Sequence, residues 1–230
     1  MPHPSATGVC DIWLATPDAA ELLAPAGLSA AEFAEWTAVR SPRRRRDWAS
    51  SRALLAAVPL AAGLQQSLSH SHGYAAVARA PEGLRVGADV EALTARNFTG
   101  LARIAFADAE AVHLDSTGDP AQRCADFYEL WTLKEAFAKA LRLPLADALR
   151  QCCFIDQCGE RAATVPTAEQ WRATVYAPRP ELRLAVAWVA PVLEALPVEP
   201  GTFEWPPART AGWPVIRRLC STATAAGRAC

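Results

Sequence analysis

Alternation of apolar and polar residues predicts several short β-strands. Successive side chains of a strand point to opposite faces, so a half-buried strand alternates with a period of two. Segments of this kind lie at 9–15, 74–79, 84–90, 171–176 and 182–189. A Pro-Glu-Gly turn at 81–83 separates the second segment from the third, and the last two segments predict a hairpin.

Three local signals predict where helices begin. Ser29, with Glu32 three residues later, has the capping-box pattern. Ser-Pro at 41–42 and Asp-Pro at 119–120 each place a favoured N-cap residue before a proline at the first helical position. The helix after 41–42 is predicted to end near residue 58. The helix after 119–120 is predicted to be the longest and to end near residue 141.

The longest predicted helix has an apolar side and a charged side. Because each residue turns the helix by about 100°, Leu130, Leu133 and Phe137 share one face. Glu135 and Lys139 lie on the opposite side, four residues apart. The elements follow the order β-α-α-β and then β-α-α-β-β, which suggests two similar units. Beyond residue 191 the chain is rich in Pro, Ala and Thr, which predicts an irregular tail.

Composition excludes several classes of protein. The chain has 230 residues, of which 51% are hydrophobic, so it can bury a sizeable core. A formal net charge of −1 argues against a general nucleic-acid binder and makes the arginine run 43–46 a local feature. The longest apolar stretch, 53–64, is too short to cross a bilayer. No signal peptide is evident. Seven cysteines without a CxxC pair favour reduced thiols, and we therefore expect a cytoplasmic protein.

Two acidic clusters carry the main chemical prediction. Asp89 and Glu91, two residues apart in a predicted strand, would point to the same face. With Glu135 they offer three carboxylates from two elements, which suits a hard cation such as Mg²⁺. Lys139 would suit phosphate oxygens held by that cation, so the pattern favours a metal-assisted phosphoryl-type transferase. The alternatives are a strand end in solvent for the first pair and an exposed i,i+4 ion pair for Glu135 and Lys139.

A second group of residues predicts an anion site. The segment 67–73 is interpreted as a polar loop that contains Ser69 and His70. Arg43 and Arg52 belong to a cationic patch near a helix N-terminus, where backbone amides also favour anions. A plain polar turn and a solvated arginine face are the alternatives. Glu110 stands in the first turn of another predicted helix, where it is either ordinary helix-start chemistry or a general base.

Together these motifs resemble the Sfp-type 4′-phosphopantetheinyl transferases. The matching segments are Ser-His-Ser at 69–71, Gly-Ala-Asp-Val-Glu at 87–91, Phe106 with Glu110, and Trp-Thr-Leu-Lys-Glu-Ala-Phe-Ala-Lys at 131–139. Their order and spacing agree with the family over roughly residues 40 to 145. The resemblance implies an α+β fold of two similar α/β subdomains with the active site in the cleft between them. We expect the subdomains at 1–82 and 83–192, followed by the irregular tail at 193–230.

The resemblance also implies an activity and its participants. The enzyme would move the 4′-phosphopantetheine group of coenzyme A to a serine of an apo acyl or peptidyl carrier protein, with release of adenosine 3′,5′-bisphosphate. It would act as a monomer, without nucleic acid or membrane. Carriers of polyketide, nonribosomal peptide or fatty acid biosynthesis are the expected substrates.

By position in the motifs, each candidate residue takes a role. Mg²⁺ would be held by Asp89, Glu91 and Glu135, and the catalytic residues would be Glu110, Glu135 and Lys139, with Glu110 as the candidate base. Coenzyme A would be bound by Arg43, Arg52, Ser69, His70 and Lys139.

One departure from the family supports a second hypothesis. Relatives carry a strand and a Gly-Lys-Pro type turn between the arginine-rich helix and the Ser-His-Ser motif, whereas only the segment 61–66 separates them here. The first subdomain is therefore shortened. The alternative function is a catalytically weak or inactive relative that binds coenzyme A or a carrier protein.

Overall fold

Two sheets form the centre of the protein, and each is assembled from distant parts of the chain. The computed structural model describes residues 10–58, 60–156, 161–206 and 208–221. The first sheet has the strand order β10-β9-β1-β3-β2, the second has the order β11-β7-β8-β4, and β5 and β6 form a separate pair. The strands are β1 (Asp11–Ala15), β2 (Leu64–Ser71), β3 (Tyr74–Pro81), β4 (Arg85–Ala92), β5 (Cys153–Ile155), β6 (Arg161–Thr164), β7 (Gln170–Tyr176), β8 (Leu182–Ala190), β9 (Gly201–Trp205), β10 (Arg209–Thr210) and β11 (Val215–Cys220).

The helices begin where the local signals predict. They are α1 (Ala30–Ala38), α2 (Pro42–Ala57), α3 (Phe98–Ala105), α4 (Asp108–Ser116), α5 (Pro120–Leu141) and α6 (Leu145–Gln151), with short 3₁₀ helices at Pro17–Leu22, Pro25–Gly27 and Leu193–Ala195. The capping box of Ser29 and Glu32 is formed. Asp119 caps α5 by accepting from the amides of Ala121 and Gln122. The predicted helix starts at 29, 41 and 119 are therefore confirmed.

The two sheets pack face to face, and a helix covers the outer face of each. Even-numbered residues of β4, such as Val86 and Val90, join Leu14 and Leu184 in the core between the sheets. Helix α2 packs on the far side of the first sheet, where Leu54 contacts Val77. Helix α5 covers the far side of the second sheet through residues such as Phe137. Odd-numbered residues of β4 consequently face α5. The mixed α+β class is confirmed, and the division into two subdomains at 82/83 stays a prediction.

Two sequence predictions about local structure are wrong. The segment 67–73 is not a loop: it forms the end of β2 and a two-residue turn, His72-Gly73, that leads into β3. The polar residues concealed the strand because their buried faces meet polar groups of β4 rather than an apolar core. The tail is not irregular either, since β9 pairs in parallel with β1 and β11 pairs antiparallel with β7. The predicted strand residue 9 and the tail residues 222–230 lie outside the described part of the chain.

Two further expectations can be compared with the structure. The hairpin predicted at 171–176 and 182–189 is confirmed as β7 and β8. Cysteines 10, 124, 152 and 153 are free, whereas Cys220 is disulfide-bonded, so the expectation of reduced thiols is wrong for that residue. None of the described helices combines the length and the apolar character that crossing a membrane requires.

Candidate functional site

A close approach of α5 to β4 builds the site. A Cβ placed on Gly87 would lie 1.9 Å from the carbonyl oxygen of Ala136 and 2.6 Å from the amide nitrogen of Ala140. Real Cβ contacts are never this short, so only glycine lets the helix backbone rest on the strand here. The residues of β4 that follow on the same face are Asp89 and Glu91. Those beside the contact on α5 include Glu135 and Lys139.

Three carboxylates converge as a result. One oxygen from each of Asp89, Glu91 and Glu135 lies within 4.8 Å of the others. Asp89 is buried, with 2% of its surface exposed, and the two glutamates are half-buried. The alternatives of a strand end in solvent and an exposed helix ion pair are therefore wrong for these residues. The spacing that suggested convergence from the sequence is confirmed in the geometry.

Lys139 compensates part of the negative charge of these acids. Lys139 Nζ donates to Asp89 Oδ1 over 2.9 Å and to the Ala88 carbonyl over 2.8 Å. Burial, followed by repulsion from Asp89, raises the pKa of Glu91 to about 7. The pKa of Glu135 is also raised to about 7, chiefly by burial and then by Asp89. For both glutamates, burial and the repulsion from Asp89 outweigh the attraction of Lys139.

One oxygen of the cluster has no hydrogen-bond partner among the residues that the structure describes. Asp89 Oδ1 accepts from Ser69 over 2.7 Å and from Lys139, whereas Oδ2 is buried and receives no hydrogen bond. Burying a carboxylate oxygen without a partner is costly. A hard cation that prefers oxygen ligands would satisfy this oxygen and relieve the repulsion between the acids. The three residues therefore fit Mg²⁺.

Strand β2 supports the cluster across the seam between the sheets. Although β2 and β4 belong to different sheets, alternate serines of β2 reach β4. Ser67 accepts from the amide of Ala88 over 2.9 Å, and Ser71 donates to Glu91 Oε2 over 2.6 Å. Ser69 bonds Asp89 in the same manner. The period-two Ser-x-Ser-x-Ser pattern at 67–71 was the sequence signal for this arrangement, and the loop interpretation missed it.

A basic cavity of about 800 Å³ opens beside the cluster. Its walls come from the α1–α2 connection, the start of α2, the β2–β3 turn and the end of β4. The lining residues are Glu35, Ala38, Val39, Arg40, Ser41, Arg43, Arg44, Asp47, Trp48, His70, Ser71, His72, Glu91 and Arg96. Four arginines and two histidines face three acids here, and one of these acids, Asp47, accepts from the Gly73 amide. The excess of cationic groups favours an anionic ligand.

The predicted coenzyme A residues divide between three locations. Arg43 and His70 line the basic cavity, and their binding of coenzyme A stays a prediction. Ser69 lies at the acid cluster instead, because its hydroxyl is bonded to Asp89. Arg52 does not line the cavity. Its guanidinium is 3.3 Å from Glu35 and lies over the Trp48 ring at 5.2 Å, and its side chain lines a different pocket.

Glu110 is far from the role of a general base. It is completely buried, and Oε2 forms an ion pair of 2.7 Å with the equally buried Lys134. Its other oxygen accepts from the amide of Phe154 over 2.8 Å. Lys134 also donates to the carbonyls of Leu149 and Cys152. Because both carboxylate oxygens are bonded and shielded from solvent, the prediction of a base is corrected here to a structural ion pair that joins α4, α5 and β5.

Sequence reasoning also missed residues of the cavity. Asp47 fixes the β2–β3 turn on α2, Ser71 and His72 connect the cavity to Glu91, and Arg96 lies on the cavity wall beside this acid. From the sequence, His72 was considered as one of two histidines in a polar loop that could hold a phosphate or a metal, without a connection to Glu91. Asp47 and Arg96 carry no motif of their own, since their positions depend on the packing of α2 and of the segment after β4.

Comparison with known proteins bears on the same region. Residues 85–187 match the family model described as the 4′-phosphopantetheinyl transferase superfamily, under the short name ACPS. The matched segment is somewhat less than half of the chain. It contains β4 and α5, and hence all three acids and Lys139. A search of curated proteins finds no match to the chain. Phosphopantetheinyl transfer in general is thus supported, and membership of the Sfp-type group within the superfamily stays a prediction.

Proposed function

We propose that the chain transfers the 4′-phosphopantetheine group of coenzyme A to a serine of an apo acyl or peptidyl carrier protein. The leaving product would be adenosine 3′,5′-bisphosphate. One observation carries the proposal: a three-acid cluster with an unsatisfied buried oxygen, which lies within the segment that matches the superfamily, borders a basic cavity. A monomer in the cytoplasm remains our expectation for this enzyme.

Asp89, Glu91 and Glu135 would hold Mg²⁺. Bound there, the ion would act as a Lewis acid that stabilises the charge developing on the diphosphate of coenzyme A. The side chain of Lys139 is 31% exposed, and its ammonium group would offset part of the charge on the leaving group. Its hydrogen bonds to Asp89 and Ala88 hold it in place before substrate arrives.

The basic cavity would take the nucleotide end of coenzyme A. Its volume lies within the range typical of small-molecule sites. Arg40, Arg43 and Arg44 offer guanidinium groups for phosphate oxygens, and His70 lies on the same wall. Glu91 belongs both to this wall and to the acid cluster, so a ligand in the cavity would extend its phosphates toward the proposed metal ligands.

A carboxylate must also accept the proton of the acceptor serine. Because Glu110 is enclosed with Lys134, it cannot reach a carrier protein. Glu135 is half-buried at the cluster, and its raised pKa of about 7 is near that of an effective general base at neutral pH. We therefore assign proton acceptance to Glu135, directly or through a water molecule.

The test is a transfer assay read by mass spectrometry. The protein is incubated with coenzyme A, Mg²⁺ and a panel of apo carrier proteins, and we expect one carrier or more to gain the mass of one phosphopantetheine group. A carrier whose acceptor serine is replaced by alanine and a reaction with EDTA are the controls. A mass gain that persists in EDTA would contradict the role of the metal.

A second function is favoured by the short connection between α2 and β2. Only residues 58–63 separate the two elements, where the family resemblance implies a further strand and turn. A binding protein that holds coenzyme A without turnover would bind coenzyme A in calorimetry and leave every carrier in the panel unmodified. That pair of results would replace the transferase proposal with the binding one.

A further inference from the structure

Three hydrogen bonds connect the basic cavity to the acid cluster through the β2–β3 turn. Arg43 NH1 lies 3.4 Å from His72 Nε2, and His72 Nδ1 lies 3.0 Å from Ser71 Oγ. Ser71 in turn donates to Glu91 Oε2 over 2.6 Å. The series passes from α2 to β4 through two adjacent residues. None of these bonds takes part in the fold's regular secondary structure.

The chemistry of the groups determines the direction of every bond. Arginine has donors only, so Nε2 of His72 must accept from Arg43. A neutral imidazole that accepts at Nε2 carries its proton on Nδ1, and that proton points to Ser71. Ser71 donates its single hydroxyl hydrogen to Glu91 Oε2. Ser71 Oγ therefore accepts from His72 with one lone pair and from the Ala92 amide, at 3.4 Å, with the other.

The backbone at His72 indicates that its side chain is important. His72 has φ of 52° and Gly73 has φ of 85°, which together give the turn that joins β2 to β3. Glycine or asparagine is favoured at the first of these positions, because most side chains are strained at positive φ. The Gly73 amide donates to Asp47, which fixes the turn on α2. A histidine in this position completes a hydrogen-bond series that glycine would leave open.

We propose that Ser71 and His72 are positioning residues that hold Glu91 in the conformation needed for cation binding, with Arg43 at the far end of the series. The proposal rests on the metal assignment of the proposed function. Hydrogen-bonding partners of metal-binding carboxylates orient these ligands and strengthen binding. Here the partner is connected to an arginine of the basic cavity, so the orientation of Glu91 depends on a residue that faces the anionic ligand.

The first test is the tautomer of His72 in the metal-free protein. Nitrogen-15 NMR at about pH 8, well above the ordinary histidine pKa, distinguishes the two neutral forms. We expect the His72 proton on Nδ1, with the signal assigned by its loss in His72→Gly. Removing the acceptor in Ser71→Ala should shift this signal. A proton on Nε2 in the wild-type protein would overturn the proposed direction of the series and, with it, the proposal.

The second test measures Mn²⁺ binding by electron paramagnetic resonance, since Mn²⁺ suits the same oxygen ligands. Ser71→Ala should weaken binding by about tenfold or more, and Ser71→Thr, which keeps the hydroxyl, should restore it. His72→Gly should weaken binding several-fold without lowering the thermal midpoint, because glycine adopts positive φ freely. This separation of affinity from stability would not arise from a purely structural role. Ser116→Ala, which removes a hydroxyl on α4 that donates to the His113 carbonyl, is the matched control.

The two levels of failure can be told apart. Wild-type affinity in Ser71→Ala would overturn the positioning role and leave the metal assignment in place. Absence of Mn²⁺ binding by the wild-type protein would overturn the metal assignment, and the positioning role would fail with it.

Discussion

Lys134 and Glu135 are neighbours on α5, yet they lie in opposite electrostatic surroundings. Lys134 is fully buried and pairs one to one with Glu110, which is also fully buried. Backbone carbonyls and amides satisfy the remaining groups of this pair. Glu135 is half-buried and faces two further acids, Asp89 and Glu91, with one lysine nearby.

The difference separates a structural ion pair from a functional site. A buried pair whose charges and hydrogen bonds balance contributes to the integrity of the fold, and breaking it is costly. A partly exposed cluster with excess negative charge is unfavourable until something positive enters, and such clusters are typical of binding and catalytic sites. From residue type and spacing, Glu110 and Glu135 were both predicted to be catalytic residues. Their partners distinguish them.

The largest effect on stability is expected from breaking the buried ion pair of Glu110 and Lys134. Lys134→Met would leave the Glu110 carboxylate buried without a counter-charge, so the free energy of unfolding should fall by about 3–5 kcal/mol. Urea denaturation measures it. The double variant with Glu110→Gln and Lys134→Met should recover much of the loss, because no charge is then stranded. A loss as large in the double variant as in Lys134→Met would contradict the pairing argument.

Removing one charge from the three-acid cluster should lower activity and should not lower stability. Asp89→Asn should reduce phosphopantetheine transfer by about 100-fold or more, the scale expected when one main stabilising group is removed from a transition state. Stability without metal should stay or rise, because one of three like charges is removed. Asp115→Asn, an exposed acid paired with Arg103, is the control and should retain activity. Near wild-type transfer by Asp89→Asn, read by mass, would refute the metal assignment.

A substitution at Gly87 tests whether the close packing of α5 on β4 brings the three acids together. Gly87→Ala should lower the free energy of unfolding by about 1–3 kcal/mol, as expected for overpacking, since its Cβ would overlap the backbone at Ala136. Transfer should fall as well, because a displaced α5 moves Glu135 away from Asp89. Gly118→Ala, which has open space around its Cβ, should change neither quantity. Denaturation and transfer assays on both variants measure the difference between them. Equal stability and equal activity of Gly87→Ala and Gly118→Ala would contradict the role of the close packing at Gly87.

The smallest effect concerns pH and Mg²⁺. Glu91 and Glu135 have pKa values of about 7 in the folded protein against an ordinary value of 4.5. Between pH 4.5 and about pH 7 the folded state therefore binds more protons than the unfolded state. The contribution of Glu91 and Glu135 to stability consequently falls as the pH rises through this range. Mg²⁺ should offset the loss, so its effect on the thermal midpoint should grow with pH and level off above pH 7.

Thermal melts with Mg²⁺ and with EDTA provide the measurement. Glu135→Gln should flatten the dependence on pH. Glu204 behaves in the opposite way, because its hydrogen bond to Arg179 lowers its pKa to about 2. Groups of this kind should contribute equally to the thermal midpoint in the melts with Mg²⁺ and in those with EDTA. An identical Mg²⁺ effect at about pH 5 and about pH 8 would contradict the titration argument.

Local signals were sufficient for much of the fold. The N-caps at Ser29, Ser41 and Asp119 act within one helical turn, so the sequence contains all the atoms that decide where these helices start. The spacing of Asp89 and Glu91 likewise determines their common face once the segment is a strand. These predictions involve neighbours a few residues apart, whose geometry the backbone dictates.

The missed features all depend on partners far along the chain. Segment 67–73 was interpreted as a loop because its serines contact β4, about twenty positions later, in place of an apolar core. Strand β9 exists because the edge of β1 accepts it in parallel pairing, which no pattern within 201–205 announces.

By itself, the sequence determined the helix starts, the strand faces and the set of acids that could hold a cation. Only the tertiary structure decided which of these acids are balanced: Glu110 lies with Lys134 in a closed ion pair, and Glu135 lies with Asp89 and Glu91 beside a basic cavity. The physical reason is that backbone geometry acts over a few residues, whereas the energy of a buried charge depends on every group packed around it.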